Sequence, residues 1–292
     1  MKILLLGKDG QVGYALQDAL APLGDVIALG RQEANLEALS DLLDILNQYT
    51  PDVIVNAAAY TAVDKAESDA VTAFKVNAQA VRVLAGYAER NNILLIHYST
   101  DYVFDGTKKG AYLEADATNP QSVYGKSKLE GEEAILSSGC EGIIFRTSWV
   151  FSAHGGNFIK TILRLAKERS TMNIVADQHG TPTFAGLLAQ VTVLAIVAHG
   201  RGKLDKGVYH VTAAGNTTWC ELAQYVVNRA LQNGMPLMLK PEGIHPISTS
   251  EYPLPAKRPL NSCLDIGLIL RNLDVPILDW RVYVNEVVDQ LN

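Results

Sequence analysis

Met1-Lys2-Ile3-Leu4-Leu5-Leu6-Gly7-Lys8-Asp9-Gly10-Gln11-Val12-Gly13 opens the chain with a short apolar run that breaks into three glycines spaced three residues apart. Lys2 to Leu6 is continuous rather than alternating, the pattern of a strand covered on both faces. Apolar residues then recur at three- and four-residue intervals from Val12 to Leu20, so a helix starts directly after the glycines. A glycine turn between strand and helix lets the backbone approach a pyrophosphate held at the helix N-terminus. Gly7, Gly10 and Gly13 are therefore candidate cofactor contacts, although glycines also serve ordinary strand-to-helix turns. The apolar run itself is too short for the core of a secretion signal.

Four similar runs follow: Val26 to Leu29, Val53 to Asn56, Leu94 to His97 and Ile143 to Phe145. Between them, Leu36 to Tyr49, Ala70 to Asn91 and Val123 to Leu136 carry apolar residues at helical spacing. This alternation predicts an α/β fold, a Rossmann-type doubly wound parallel sheet. Asn119-Pro120 offers an N-cap and a first-turn proline for the helix near Val123. In the less regular second half, Asn173 to Ala176 and Val208 to Val211 read as strands, and Thr218-Trp219-Cys220-Glu221 as a capping box opening a helix. Six of the eleven prolines fall between Pro236 and Pro259, which excludes a long helix there. The expected division is a nucleotide-binding domain over 1-150 and a smaller, mainly substrate-binding domain over 151-292, with segments near 173-177 and 207-233 as candidates to return to the first.

Composition excludes several classes of partner. A net charge of -6, from 25 basic and 31 acidic residues, gives no footprint for nucleic acid or an anionic membrane surface. The longest later apolar stretch, Leu187 to Ala198, is interrupted by Gln190 and Thr192 and falls short of the ~18 residues of a spanning helix. Cys140, Cys220 and Cys263 are odd in number and widely spaced, with no Cys-x-x-Cys pair, which fits a reducing cytoplasm. The six histidines lack metal-ligand spacing, so no metal site is expected and no histidine is given a role.

The chemistry is carried by hydroxyls and one amine. Tyr124-Gly125-Lys126-Ser127-Lys128 sets a phenol and an ammonium four residues apart, on one face of the helix near Val123. A reductase must hand a proton to an alkoxide as hydride arrives; a free tyrosine is a reluctant partner, and a lysine cation beside it would draw its pKa down. The fourth run ends in His97-Tyr98-Ser99-Thr100-Asp101, placing hydroxyls at the sheet edge where such folds bind ligands. Thr100 is the candidate third catalytic group, hydrogen-bonded to the substrate oxygen, with Ser99 as its rival. After the second run stands Gly30-Arg31, and an arginine there suits a 2'-phosphate, favouring NADPH; Glu33 nearby leaves NADH open. Asn56-Ala57-Ala58-Ala59 supplies small side chains where a flat adenine or nicotinamide-ribose portion would approach.

Further strings extend the pattern: Asp52 to Ala59, Thr61 to Glu67, Tyr98 to Phe104, Arg146-Thr147-Ser148-Trp149-Val150, Gly180-Thr181-Pro182-Thr183 and Arg258-Pro259-Leu260-Asn261-Ser262. With the glycine turn and Tyr124 to Lys128, the chain resembles the dTDP-4-dehydrorhamnose reductases, extended short-chain dehydrogenases/reductases, over essentially its full length. The resemblance implies NAD(P)H-dependent reduction of the C4 keto group of dTDP-4-dehydro-6-deoxy-L-mannose to dTDP-L-rhamnose, with Tyr124 as proton donor and Lys128 on the nicotinamide ribose. It also implies that Gly10, Gln11, Val12, Ala59, Tyr60 and Thr61 line the cofactor, and that Thr100, Asp101 and Trp149 meet the sugar. Trp149 alone reads equally as a core aromatic. Arg258 suits the nucleotide diphosphate by its guanidinium geometry, or is a surface charge in a proline-rich loop.

Some members of that family form magnesium-bridged dimers through acidic residues whose places here are Ala15 and Gly186. Structural magnesium is therefore not expected, and a monomer or weak homodimer is. A nucleotide-sugar dehydratase is disfavoured, because Thr100-Asp101-Tyr102 stands where that chemistry resembles a Thr-Asp-Glu string. Two alternatives remain: another nucleotide-sugar reductase or epimerase, and a non-catalytic NADP-binding subunit similar to the methionine adenosyltransferase beta subunit.

Overall fold

The computed structural model describes residues 1–292. The five apolar runs form β1 (Lys2–Leu6), β2 (Asp25–Leu29), β3 (Val53–Asn56), β4 (Leu94–Thr100) and β5 (Glu141–Thr147). Gly207–His210 joins them as a sixth strand, and all pair in parallel in the order Gly207–His210, β5, β4, β3, β1, β2. The chain leaves β1 for β2 on one side and then returns to β3 on the other, so the winding reverses at β1. The crevice outside the carboxyl end of that strand is where this architecture binds ligands. No helix is long and apolar enough to cross a membrane.

Both faces of the sheet are covered, which is why its strands read as unbroken apolar runs. Ile3, Leu5, Val53, Val55 and Ile96 enter one core with the helices Gln11–Leu20 and Ala185–Gly200. Leu4, Leu6, Ile54 and Leu95 enter a second with Leu39–Tyr49 and Ala80–Asn91. Each such side chain contributes roughly 1.5–3 kcal/mol by burial, so the positions flanking the crevice are rigidly held.

Three local expectations are corrected. Ala70 to Asn91 is not one α-helix: Ala70–Phe74 and Ala80–Asn91 are joined by a π-helical turn, Lys75–Gln79. The wider turn buries Asn77, whose amide donates to Ser127 Oγ at 3.0 Å and to the Tyr60 carbonyl at 3.0 Å while its Oδ1 accepts from Tyr60 N–H at 2.9 Å. The helix Val123–Ser138 is capped by Ser122, which accepts from Gly125 N–H at 3.1 Å, and not by Asn119. Asn119 is held elsewhere, its N–H on the Val103 carbonyl and its amide on Asp105. Met172–Val175 is a strand, yet it pairs with Ile244–Ile247, because the place beside β5 is taken by Gly207–His210. The capping box at Thr218 and Glu221 is formed in both directions and opens the helix Trp219–Gln232.

Candidate active site

The glycines after β1 do different work. Gly7 has φ +89°, and a Cβ there would lie 2.6 Å from Ala58 N. At Gly13 a Cβ would lie 1.9 Å from the Gly7 carbonyl oxygen, so both positions exclude any side chain by backbone contact alone. Gly13 accordingly does not line the crevice; it lets helix Gln11–Leu20 seat against β1. Gly10 is the N-cap, with no side chain over the first turn, and it faces the cavity. The first N–H groups of the helix therefore meet whatever lies there, with the positive end of the helix dipole behind them.

That cavity measures about 810 Å³ and runs along the carboxyl ends of β1 to β5. Gly7, Gly10, Gln11, Val12, Arg31, Ala59, Tyr60 and Thr61 line one part, and Thr100, Asp101, Tyr124, Lys128 and Trp149 another. Arg31 stands at the mouth with 79% of its side chain exposed, paired to Glu37. Glu33 bends away, its carboxylate accepting from Gly30 N–H at 2.9 Å and from Lys8 Nζ at 2.6 Å. Arg258 does not line the cavity. It lies over the Tyr102 ring, 5.9 Å from its centroid, and pairs through Nη2 with Asp64 at 2.5 Å, while its Nη1 is buried without a partner.

Tyr124 and Lys128 project from the helix Val123–Ser138 toward the end of β4. Ser99, the rival hydroxyl, donates to the buried Glu132, itself paired with Arg146 at 2.6 Å. Thr100 is thus the hydroxyl beside Tyr124, and its Oγ1 donates to Asp101 Oδ1 at 3.1 Å. Burial pushes Tyr124 up to about 12; the Thr100 hydroxyl opposes this and the Asp101 charge adds to it. Lys128 does not contribute the downward tuning expected of it, the one downward pull on Tyr124 coming from Thr100; Lys128 is itself brought down to about 8 by burial, against the pull of Glu132. Burial raises Asp101 to about 6, with the nearby Ser262 and Thr100 hydroxyls opposing it.

Trp149 has φ +48° and stacks on Trp219, ring centroids 3.6 Å apart and 14° from parallel, with both indoles on the cavity wall. A side chain at Gly180 would strike the Trp149 ring, 2.5 Å from its nearest atom. In the sequence Trp219 reads only as part of a capping box. His97 and Asn77 were also missed; a polar residue inside a buried strand, such as His97, was the available signal.

A glycine turn at the reversal point of a parallel sheet, with tyrosine, lysine and threonine at its carboxyl edge, defines a short-chain dehydrogenase/reductase architecture. The family model described as RmlD substrate binding domain matches residues 1–292. A dTDP-4-dehydrorhamnose reductase of Burkholderia thailandensis is 48% identical, the alignment covering 100% of this chain and 99% of that protein. The solved structure of a Clostridium acetobutylicum dTDP-4-dehydrorhamnose reductase superposes with TM-score 0.90 at 34% identity, covering 100% of this chain and 99% of that one. That of a Bacillus anthracis dTDP-4-dehydrorhamnose reductase, in complex with NADP, gives TM-score 0.89 at 29% identity over 99% of both chains. The chain belongs to the dTDP-4-dehydrorhamnose reductase family.

Proposed function

We propose that this chain reduces the C4 keto group of dTDP-4-dehydro-6-deoxy-L-mannose to dTDP-L-rhamnose with NADPH, and that Tyr124 is the proton donor. The observation that carries this is the sharing of one cavity by the glycine turn and by Tyr124, Lys128 and Thr100. The turn fits a dinucleotide: the backbone contacts at Gly7 and Gly13 draw the helix close, and the bare N-cap at Gly10 leaves N–H groups for a pyrophosphate. Arg31 at the mouth would meet the 2'-phosphate and Lys128 the ribose hydroxyls. When bound, the dihydronicotinamide supplies the hydride that goes to C4.

The rest is done by this chain's side chains. With its pKa pushed up to about 12, Tyr124 is a fully protonated phenol near neutrality, which is the state a proton donor must start in. As negative charge grows on the C4 oxygen, the phenolic O–H breaks and the sugar O–H forms. Thr100 holds that oxygen in line, and Asp101, which shares the cavity lining, would meet a sugar hydroxyl. Trp149 and Trp219 present an apolar wall to the deoxysugar. Three free, buried cysteines fit a reducing compartment, and we assign the activity to the cytoplasm.

The test is oxidation of NADPH and of NADH by the purified chain with the keto sugar nucleotide, beside Tyr124→Phe. Substrate-dependent turnover that prefers NADPH and collapses in the variant is expected. A folded, NADPH-binding chain without turnover would refute the substrate assignment and favour a regulatory role.

A further inference from the structure

Gln11 lies on the wall of the cavity, yet its side chain is spent on the segment that follows β5. Asn157 Oδ1 accepts from Lys160 N–H at 3.1 Å, and a backbone N–H is only ever a donor, so the other end of the Asn157 amide is its NH2 group. That group donates to Gln11 Oε1 at 2.9 Å, which leaves the NH2 end of Gln11 to donate to the Val150 carbonyl at 3.2 Å. Both ends of the Gln11 amide are thus committed to the stretch from Val150 to Asn157. The residue before Val150 is Trp149, whose φ of +48° is a left-handed backbone that a bulky aromatic adopts only when its surroundings impose it. Here they act from two sides. Val150–Phe151 pairs in parallel with Thr183–Phe184, and along a strand successive carbonyls point to opposite edges. The Trp149 carbonyl accepts from Thr183 N–H at 3.2 Å, and the Val150 carbonyl points to the other edge, where Gln11 takes it. A second cavity of about 130 Å³ has Gln11, Trp149, Val150 and Trp219 in its wall, so the indole stack is not wedged in place by packing alone.

We propose that Gln11 is a positioning residue for Trp149: its side-chain amide stands in for a neighbouring strand, fixes the Val150 carbonyl, and so keeps Trp149 in its left-handed backbone with the indole stacked on Trp219. The ladder on the other edge is only two residues long, too short to hold that backbone by itself. Released by Gln11, the Val150 peptide can rotate, and Trp149 relaxes toward an ordinary backbone that carries its indole off the stack. Trp219 stays in place, because its Nε1–H donates to Gln178 Oε1 at 3.2 Å. The first residue of helix Gln11–Leu20 thus serves both halves of the cavity, its backbone belonging to the glycine turn and its side chain to the indole wall. For its effect on turnover the inference rests on the reading of Trp149 as a wall of the sugar site, but the stack itself is observable without substrate.

The experiment is far-ultraviolet circular dichroism of the full-length chain, in which two stacked indoles give an exciton couplet, identified as theirs by its loss in Trp219→Phe. Gln11→Met keeps the length of the side chain and gives up the amide. Asn157→Asp reaches the same bond from the other end: its carboxylate still accepts from Lys160 N–H, but it draws the Gln11 NH2 group to itself and turns Oε1 against the Val150 carbonyl. Both variants are expected to lose most of the couplet and, at saturating NADPH, to raise KM for the sugar nucleotide roughly 5- to 10-fold, the effect of one hydrogen bond. Kd for NADPH, measured by its fluorescence, should stay within about 2-fold in Gln11→Met. A couplet that survives in both folded variants would overturn the proposal. So would a loss of NADPH affinity of about 10-fold or more in Gln11→Met, which would assign the amide to the cofactor. A lost couplet with KM unchanged would leave Gln11 in its positioning role and refute instead the placing of Trp149 on the sugar, so the two failures are told apart.

Discussion

Gly10→Ala and Gly13→Ala place the same methyl group at two points of one turn and separate its two tasks. In Gly13→Ala the new Cβ would lie 1.9 Å from the Gly7 carbonyl oxygen and 2.6 Å from its carbon, where ordinary contact begins at 3.4 Å. The helix must then back away from β1 by about 1.5 Å in an interior packed without slack. Overpacking of this kind costs roughly 1–3 kcal/mol, and Tm should fall by on the order of 5 °C. At Gly10 the Cβ would lie 3.4 Å from the same oxygen, and φ -77°, ψ 164° is open to alanine. Reduced freedom of the unfolded chain favours the variant by about 0.4–1 kcal/mol, and the poorer N-cap opposes it by a similar amount. Tm should stay within about 2 °C. The methyl group nevertheless stands on the cavity wall where the pyrophosphate would approach, so NADPH affinity should drop at least ~10-fold, about 1.4 kcal/mol. Thermal unfolding without ligand and fluorescence titration with NADPH measure the two effects. Gly10→Ala binding NADPH as tightly as the unsubstituted chain, or Gly13→Ala unfolding at the unsubstituted Tm, would refute the assignment.

Three more substitutions probe other walls of the cavity. Arg31→Ala should raise KM for NADPH roughly 10-fold or more, the loss of one charge-assisted contact, and leave KM for NADH unchanged; equal losses with both cofactors would exclude 2'-phosphate recognition. Asp101 has its pKa raised from 3.8 to about 6 by burial, so its ionised form is the destabilised one, with no penalty below the lower value and the full penalty above the upper. Asp101→Asn should therefore raise stability by about 3 kcal/mol near pH 8, with the gap closing near pH 4; denaturation at both pH values checks this, and a pH-independent gap would contradict it. Gly180→Ala would push a methyl group to 2.5 Å from the Trp149 ring. Steady-state kinetics should show KM for the sugar nucleotide raised by roughly 10- to 100-fold, and an unchanged KM would remove Trp149 from the substrate wall.

The sheet was readable because burial on both faces leaves an unmixed apolar run, as at Leu4 and Leu5, which enter opposite cores. The helix of Tyr124 was readable from spacing, but not its start: Asn119-Pro120 has the composition of a cap, and only the contacts of Asn119 with Val103 and Asp105 show that it serves the preceding loop. Met172–Val175 reads as a strand from its own residues, yet its partner is set by which sheet edge is already filled, a fact held about 35 residues downstream at Gly207–His210. Tyr124 and Lys128 were legible because one helix turn separates them. The contacts that join Asn56 to His97 and His97 to Lys128 were not, since three elements must pack before those side chains meet. Nor was Trp219, which reaches Trp149 only through the fold.

The central claim is that hydride reaches C4 of the sugar while Tyr124 supplies the proton. It is tested most directly by a single turnover of dTDP-4-dehydro-6-deoxy-L-mannose with NADPH deuterated at nicotinamide C4, the product being analysed by NMR and mass spectrometry. The account predicts dTDP-L-rhamnose carrying one deuterium at C4 of the sugar, formed by Tyr124→Phe at least ~100-fold more slowly. Product without deuterium at C4, or undiminished transfer by Tyr124→Phe, would contradict it.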